Sequence, residues 1–476
     1  MNANGDLLIQ SPGNSLPGNR RHIPVALLLA CMAFIPNAGA GDGKNATSTT
    51  APWPTISGNF QNTSAIDDPK FKPPFRLKWA TRTEGQMKST PVIGGGRVYA
   101  QTVNGLITAV DQQTGRIAWR NYHTGVLPDS QEQNRTSPLY AEGRLYYAYY
   151  PGGFYCVDAA TGKELWKDPD GVRLAGRFSA LWHNGMVFYP FWVRSQDKKT
   201  RYVIFKALDA ATGKEVWRKE YPDFSNPNSV LSPAPAVSPG CIGDGVLYVS
   251  LGSNEAKREG GKGLMLALDP GTGKEVWKSE KYAAGGGGAY VSYHSGRVYV
   301  AGTGSPYRCL DAKTGDLVWE TDVKGKGVFG SAVSSNGVAL RTYGSPAAVY
   351  DIATGKPLTG QDGKPVTFGR GGSTGCSALI IVNGEWGIQH SGGETRRLSI
   401  GRIDRTESVW DWQLAGRACP GSAVADGCIY TPSGGDGLLF CFEPDDGKPP
   451  PAPVYTQHVG ASPPMPKIGA DDWPQF

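Results

Sequence analysis

The sequence predicts an all-β fold, an eight-bladed β-propeller of four-stranded antiparallel blades, and three observations carry that expectation. The first is a phrase that returns along the chain. Asp111 to Trp119, Asp158 to Trp166, Asp209 to Trp217, Asp269 to Trp277 and Asp311 to Trp319 keep Asp, Thr-Gly and Trp in one register. Degenerate copies follow at Asp351, where Thr359 stands in place of the Trp, at Asp404 to Trp412, and at Glu443. The second is the interval between copies, 39 to 60 residues, which is the size of a four-stranded blade. The third is composition: 65 Gly and 36 Pro in 476 residues leave little uninterrupted chain for helices, where each Pro costs about 3 kcal/mol.

Taken in chain order, the elements support this reading. Ile23 to Ile35 is apolar, follows Arg20 and Arg21 and precedes Ala38-Gly39-Ala40, the layout of an export signal cleaved after Ala40. That run is shorter than the roughly 20 residues that a membrane-spanning helix needs. Leu28 to Cys31 resembles a lipoprotein box, but the chain stays apolar through Met32 to Ile35 where a lipoprotein turns polar. Residues 41–52 read as a disordered linker and 53–447 as the propeller. Phe75 to Trp79 looks like an unpaired outer strand that joins the last blade and removes the free edge of an open sheet. Inner strands near Ser89, Ser137, Ser179, Pro235, Tyr290, Ser331, Ser377 and Ser422 count eight blades, their small residues suiting the crowded axis. Asp-x-x-Thr-Gly is turn chemistry: the Asp caps backbone N–H groups and the Gly takes positive φ. A Pro-rich linker at 448–469 leads to Ala470 to Phe476, whose Trp473-Pro474 repeats the opening Trp53-Pro54 as the start of a further module would.

Charge and cysteines exclude several functions. There are 48 basic and 42 acidic residues, a formal +6, with no long Lys/Arg run, so nucleic acid is not an expected partner. Loss of Cys31 with the signal leaves an odd number of the 8 cysteines, and at least one thiol stays unpaired within the chain. No C-x-x-C occurs, so spacing supports neither a c-type haem nor a four-Cys zinc site. Cys428 and Cys441 lie symmetrically about Gly434-Gly435, so a two-residue hairpin sets them opposite each other; Cys376 and Cys419 precede adjacent inner strands. These four are the disulfide candidates. Cys156 and Cys309 share the place two residues before the repeat Asp and are expected to remain buried thiols.

The phrase Ala207-Leu-Asp209-Ala-Ala-Thr212-Gly213-Lys214-Glu-Val-Trp217 resembles the repeat of the PQQ-like (pyrroloquinoline-quinone) propeller superfamily, and the resemblance runs from about Trp53 to Pro444. It implies the propeller fold strongly and activity weakly, since that superfamily includes quinoprotein dehydrogenases and an outer-membrane assembly lipoprotein. The quinoprotein branch carries two adjacent cysteines over the cofactor and a Ca²⁺ site of Glu, Asn and Asp; no two cysteines are adjacent here, and Asn254-Glu255 is the one acidic loop in a comparable place. PQQ and Ca²⁺ therefore belong only to an alternative reading as a quinoprotein dehydrogenase, with a propeller-type polysaccharide lyase as a further alternative. His183 and His294 fall in turns away from the funnel mouth, whereas His390 closes a second strand at the funnel face. Lys88, Arg135, Arg177, Arg370 and Arg417 each precede an inner strand, a ring of cations that focuses potential on an anion. The leading expectation is an exported, monomeric, non-catalytic scaffold that binds a protein partner or an anionic saccharide at that mouth, with no metal and no catalytic residue.

Overall fold

The computed structural model describes residues 52–123, 136–149, 152–170, 179–194, 201–222, 236–237, 240–252, 263–284, 290–302, 305–323, 328–342, 345–369, 379–391, 396–414, 421–433 and 435–448. Among them there is no helix. Eight antiparallel sheets follow one another in sequence, blade 1 from Val92–Gly94 to Ile117–Tyr122 and blade 2 from Leu139–Ala141 to Glu164–Asp168, and so on to blade 8. Neighbouring innermost strands touch in order from blade 1 to blade 7, and blade 8 returns to blade 1. Phe75–Arg82 supplies the outer strand of blade 8 by pairing antiparallel with Leu438–Pro444, so the closing strand lies where the sequence places it.

Each repeat does two jobs at once. In the second copy, Asp158 Oδ1 accepts from Thr161 N at 2.8 Å and from Thr161 Oγ1 at 2.6 Å, and Gly162 takes φ +75, which only glycine adopts freely. That glycine also lies flat on the Trp119 ring of blade 1, so a Cβ there would sit 2.8 Å from the indole. The indole N–H of Trp119 donates to Ala159 O at 3.0 Å, clamping one blade to the next. The clamp recurs as Trp79 to Gln112 O, Trp166 to Ala210 O, Trp217 to Pro270 O, Trp277 to Ala312 O and Trp319 to Ile352 O.

The degenerate copies depart from the sequence reading. In blade 6, Thr359 does not take the Trp place: it bridges Pro365 in a small side ladder, the outer strand is Thr367–Phe368, and Phe368 supplies the ring against Gly387 and Gly401 of blade 7. In blade 7 the Trp place belongs to Trp410, opposite Ile400, and the Asp place to Arg402, whose N–H donates to Glu407 O. Trp410 donates to Phe75 O at 2.8 Å, while Trp412 packs at a tilt against Phe442 with centroids 5.0 Å apart. Without Thr-Gly to anchor the turn, spacing alone aligned Asp404 and Trp412 two residues too far along.

A feature that the repeats do not announce occupies the hub. Alternation of the strands puts the first-to-second and third-to-outer turns of every blade on one face, the turn face, and the remaining connections on the other, the loop face. Trp53 to Asp68 runs around the axis on the turn face and meets every blade in order. Ile93 N donates to Trp53 O at 2.7 Å, Tyr140 N to Pro54 O at 2.9 Å, Ile242 N to Phe60 O at 2.7 Å, Tyr293 N to Gln61 O at 2.8 Å and Val333 N to Thr63 O at 2.8 Å. In blade 3, Trp182 packs on Phe60 with centroids 6.1 Å apart. Ala65–Ile66 then adds a short parallel strand to Ile380–Val382 of blade 7, and Gly427 N of blade 8 donates to Asp68 Oδ2 at 2.6 Å. The segment is not extended throughout, since it turns tightly at Thr55–Gly58 and again at Asn59–Asn62, and it forms a hoop on the turn face.

Trp53 is fully buried and anchors the hoop in blade 1. Trp53→Ala is expected to destabilise by about 3–5 kcal/mol, read as a lower denaturant midpoint; an unchanged midpoint would show that the hoop rests on the ring without holding it.

Candidate functional site

On the loop face each outer strand hands over to the next inner strand. Lys88 is half-buried just before the inner strand of blade 1. Arg135, Arg177, Arg370 and Arg417 lie outside the described residues, as do Cys376, Cys419 and Asn254-Glu255. His183 and His294 end their inner strands on the turn face, and burial lowers the pKa of both.

His390 is placed at the loop end of its strand but is 1% exposed. Arg396 Nη2 lies 2.8 Å from His390 Nδ1, Arg396 Nη1 donates to Pro432 O at 2.8 Å, and His390 Nε2 lies 2.7 Å from Ser422 Oγ. A guanidinium only donates, so Nδ1 is the acceptor and the neutral ring carries its proton on Nε2. His390 therefore donates to Ser422. A nucleophilic serine needs the opposite arrangement, with the imidazole free to take the hydroxyl proton. The same kind of bond joins other blades: Gln101 Nε2 donates to Ala148 O at 2.7 Å, Tyr307 OH meets Ser331 Oγ at 3.1 Å, and Thr90 N donates to Ser137 Oγ at 2.9 Å. The small hydroxyl residues of the inner strands thus link blades near the axis.

Two clusters escaped the sequence reading. Lys206, with its side chain 4% exposed, lies 2.7 Å from Asp168, 3.2 Å from Asp170 and 3.3 Å from Glu215. Tyr189 OH donates to Asp168 at 2.5 Å, and Arg218 pairs with Asp170 and Glu215. Burial works against the Lys206 ammonium, but the bonds and charges of Asp168 and Asp170 outweigh it and its pKa is raised. The one sequence signal was a lysine inside the apolar strand Val203 to Leu208. The second cluster is His123, boxed by Tyr147, Tyr149 and Tyr155 with centroids 5.5, 5.3 and 4.3 Å away and with Nε2 2.9 Å from Tyr147 OH. Burial, helped by the Lys167 charge, lowers its pKa to about 4.

The donor set offers little to a quinone or a metal. The five described cysteines are buried thiols in separate strands, and burial pushes Cys156 up to about 12 and Cys309 up to about 11. Cys428 and Cys441 are not directly opposite: Tyr430 faces Cys441 and Ile429 faces Phe442, so the register is two residues away from the symmetric hairpin. A longer connection between the strands causes the shift. The two thiols are diagonal neighbours joined by a hydrogen bond, and burial raises the pKa of Cys441. Among the described residues no group of three or more His, Cys, Asp or Glu side chains is placed to hold a metal ion.

Two outcomes follow. Lys206→Met leaves the buried Asp168 carboxylate without its cation and should destabilise by about 3–5 kcal/mol, measured by denaturant unfolding; a neutral effect would mean that the cluster is wet. His123 binds its proton more weakly folded (about 4) than unfolded (about 6.5), so its contribution is complete above pH 6.5 and is lost as pH falls toward 4. His123→Phe should therefore lose less melting temperature between pH 7 and pH 4.5 than the parent protein does; an equal loss would place the acid sensitivity elsewhere.

Comparison with known proteins agrees with this geometry. A family model described as outer membrane protein assembly factor BamB matches residues 76–169 and 261–373. No match is found among curated proteins. Among solved structures, the quinohemoprotein alcohol dehydrogenase of Comamonas testosteroni is similar with a TM-score of 0.60 and 15% identity, covering 85% of this chain and 83% of its own. A europium-containing methanol dehydrogenase gives 0.58 and 14%, covering 83% and 98%. BamB from Moraxella catarrhalis gives 0.52 and 16%, covering 78% and 100%. At these identities the likeness is one of fold: the chain is an eight-bladed β-propeller similar to the PQQ-like propellers.

Proposed function

We propose that the protein is an exported, non-catalytic binding scaffold that receives a protein partner or an anionic saccharide at the loop face. The observation that carries the reading is the hoop: it spans the axis on the turn face, so a ligand reaches the hub from the loop face. Lys88, Arg135, Arg177, Arg370 and Arg417 precede inner strands on that side, where clustered cations raise the local concentration of anions. Support for a binding role over catalysis comes from His390, whose tautomer is wrong for activating Ser422. Likeness to BamB, a factor of outer membrane protein assembly, adds weight to a protein partner. Export rests on Ile23 to Ala40, and no helix among the described residues is long and apolar enough to cross a membrane. Quinoprotein dehydrogenase is the second reading, supported by the fold shared with two such enzymes.

Charge reversal of Arg135 and Arg177 together should weaken binding to poly-L-glutamate and to alginate, with an effect that shrinks as salt rises, since screening acts over about 8 Å at physiological ionic strength. Absence of polyanion binding by the parent protein at low salt would remove the cationic mouth. Addition of PQQ and Ca²⁺ should produce neither a quinone absorbance nor dye reduction with alcohols; either signal would favour the dehydrogenase.

A further inference from the structure

Blade 8 carries a thiol where blades 1, 2 and 5 carry a guanidinium. In these four blades the register sets Tyr99 opposite Ala109, Tyr146 opposite Cys156, Tyr299 opposite Cys309 and Tyr430 opposite Cys441. Two residues before each tyrosine, on the same sheet face and diagonal to the small residue, stand Arg97, Arg144, Arg297 and Cys428. A cysteine opposite the tyrosine is thus ordinary in this repeat, and in blades 2 and 5 its diagonal neighbour is an arginine. In blade 8 that neighbour is a second thiol. The ion pair that such an arginine makes with the repeat acid, as Arg297 does with Asp311, is lost with it, and Glu443 pairs instead with Arg76 and Lys78.

Diagonal neighbours in an antiparallel pair have Cβ atoms somewhat less than about 7–8 Å apart, whereas a disulfide needs about 3.8 Å. The pair is therefore too wide for a disulfide unless the backbone moves. The ladder resists that movement, since Tyr430 faces Cys441 and Ile429 faces Phe442 on one side, and Trp79 of the outer strand faces Cys441 on the other. A metal ion between two thiolates asks for a wider gap: two bonds of about 2.3 Å set the sulfurs about 4.6 Å apart and leave the Cβ atoms roughly 6 Å apart. The surroundings suit bound thiolates. Tyr430 hydrogen bonds to both sulfurs, and the Lys78 ammonium lies close enough to favour their charged forms. Trp79 packs over the same face, with its ring 5.8 Å from that of Tyr430. Cys441 is fully buried and Cys428 is 6% exposed, so an ion enters past Cys428.

We propose that Cys428 and Cys441 form a two-coordinate site for one monovalent soft cation, of which Cu(I) is the biological case. In a buried site two ligands do not satisfy Zn²⁺, Ca²⁺ or Mg²⁺, which take four or more, and thiolate sulfur selects Cu(I) over the hard cations. Binding exchanges two S–H protons for one ion: two thiols and Cu⁺ give a bis-thiolate complex of charge −1 and two H⁺, with no change of oxidation state. The Lys78 ammonium balances that negative charge. The two ligands stand on the second and third strands of the blade that closes the ring, Cys428–Pro432 and Leu438–Pro444. An ion held there crosslinks the closing sheet and stabilises the folded chain by mass action.

The test is titration of the reduced full chain with Cu(I), and separately with Ag(I), in anaerobic competition with bicinchoninate. The parent is compared with the Cys428→Ser, Cys441→Ala, Cys156→Ala and Cys376→Ala/Cys419→Ala variants, with melting curves for each in the presence and absence of the ion. The expected result is one ion per chain, a loss of affinity of at least a hundredfold in the Cys428 and Cys441 variants alone, and a rise in melting temperature on ion binding that Cys428→Ser abolishes. X-ray absorption at the copper edge should show sulfur neighbours only, in two-coordinate geometry. If Cys441→Ala fails to fold, Cys428→Ser, at the start of its strand, decides the question. Unchanged affinity in Cys428→Ser, or no binding by the parent, overturns the site, and a loss confined to the Cys376/Cys419 variant overturns it by moving the ion elsewhere. A Cys428–Cys441 disulfide found by peptide mapping of protein isolated without reductant would show that the backbone yields, and would overturn the metal assignment in favour of a crosslink.

Discussion

The structure depends on one contact repeated around the ring: a tryptophan ring of one blade lying under the Thr-Gly turn of the next, with its indole N–H bonded to a carbonyl in that turn. Both halves of the contact are specified locally. The aspartate holds the turn in a shape that presents the carbonyl, and the glycine both accepts positive φ and leaves room for the ring. Because the indole reaches across an otherwise open gap between sheets, it converts eight separate blades, each too small to bury its own apolar face, into a continuous core. The phrase therefore recurs as Asp, Thr-Gly and Trp together and not as any one of them. Where the Thr-Gly is lost, the clamp is rebuilt by other means, with Phe368 of blade 6 against two glycines of blade 7 and Trp410 of blade 7 reaching Phe75 O of blade 8.

A ring held only by neighbour-to-neighbour clamps has one weak joint, the place where the last blade meets the first. The chain spends residues before blade 1 on that joint in two ways. Phe75–Arg82 completes blade 8, so the first and last parts of the ring share a sheet. Trp53 to Asp68 then holds all eight inner strands from the hub, a constraint that acts on every blade at once. Loss of one clamp opens a gap that the hoop still bounds, whereas loss of the hoop leaves each clamp to act alone. The same segment lies on the turn face, where it bonds the blades near the axis.

The ring was legible in the sequence because its determinants are local and repeated. Five copies of the phrase, the outer strand at Phe75 and the buried thiols at Cys156 and Cys309 all stand where their residues predict. The hoop was not legible, since Thr55 to Asp68 is a polar stretch whose partners are backbone groups far away in sequence, and no side-chain pattern marks such bonds. Blade 7 misled for a related reason: Asp404 and Trp412 have the right spacing but lack the Thr-Gly that fixes register. The Cys428 register failed because a symmetric pair about Gly-Gly presumes a two-residue turn, and the connection is longer. For the site, sequence reasoning placed His390 at the correct end of its strand but could not see Arg396 and Ser422 closing around it.

Function should be sought where this regularity gives way. On the turn face, Asp-x-x-Thr-Gly and the hoop together constrain nearly every connection, so an insertion there would break a clamp or a hub bond. Among the described residues neither device acts on the loop face, and there the hairpins pair over anything from four to nine residues. Residues on such a face are free to vary with the ligand while the ring below stays rigid. A buried Lys206 among three carboxylates is costly to desolvate and adds nothing to the repeat. It ties the longest second-to-third hairpin to Asp168 of blade 2, so what it contributes is the fixed position of that hairpin relative to its neighbour.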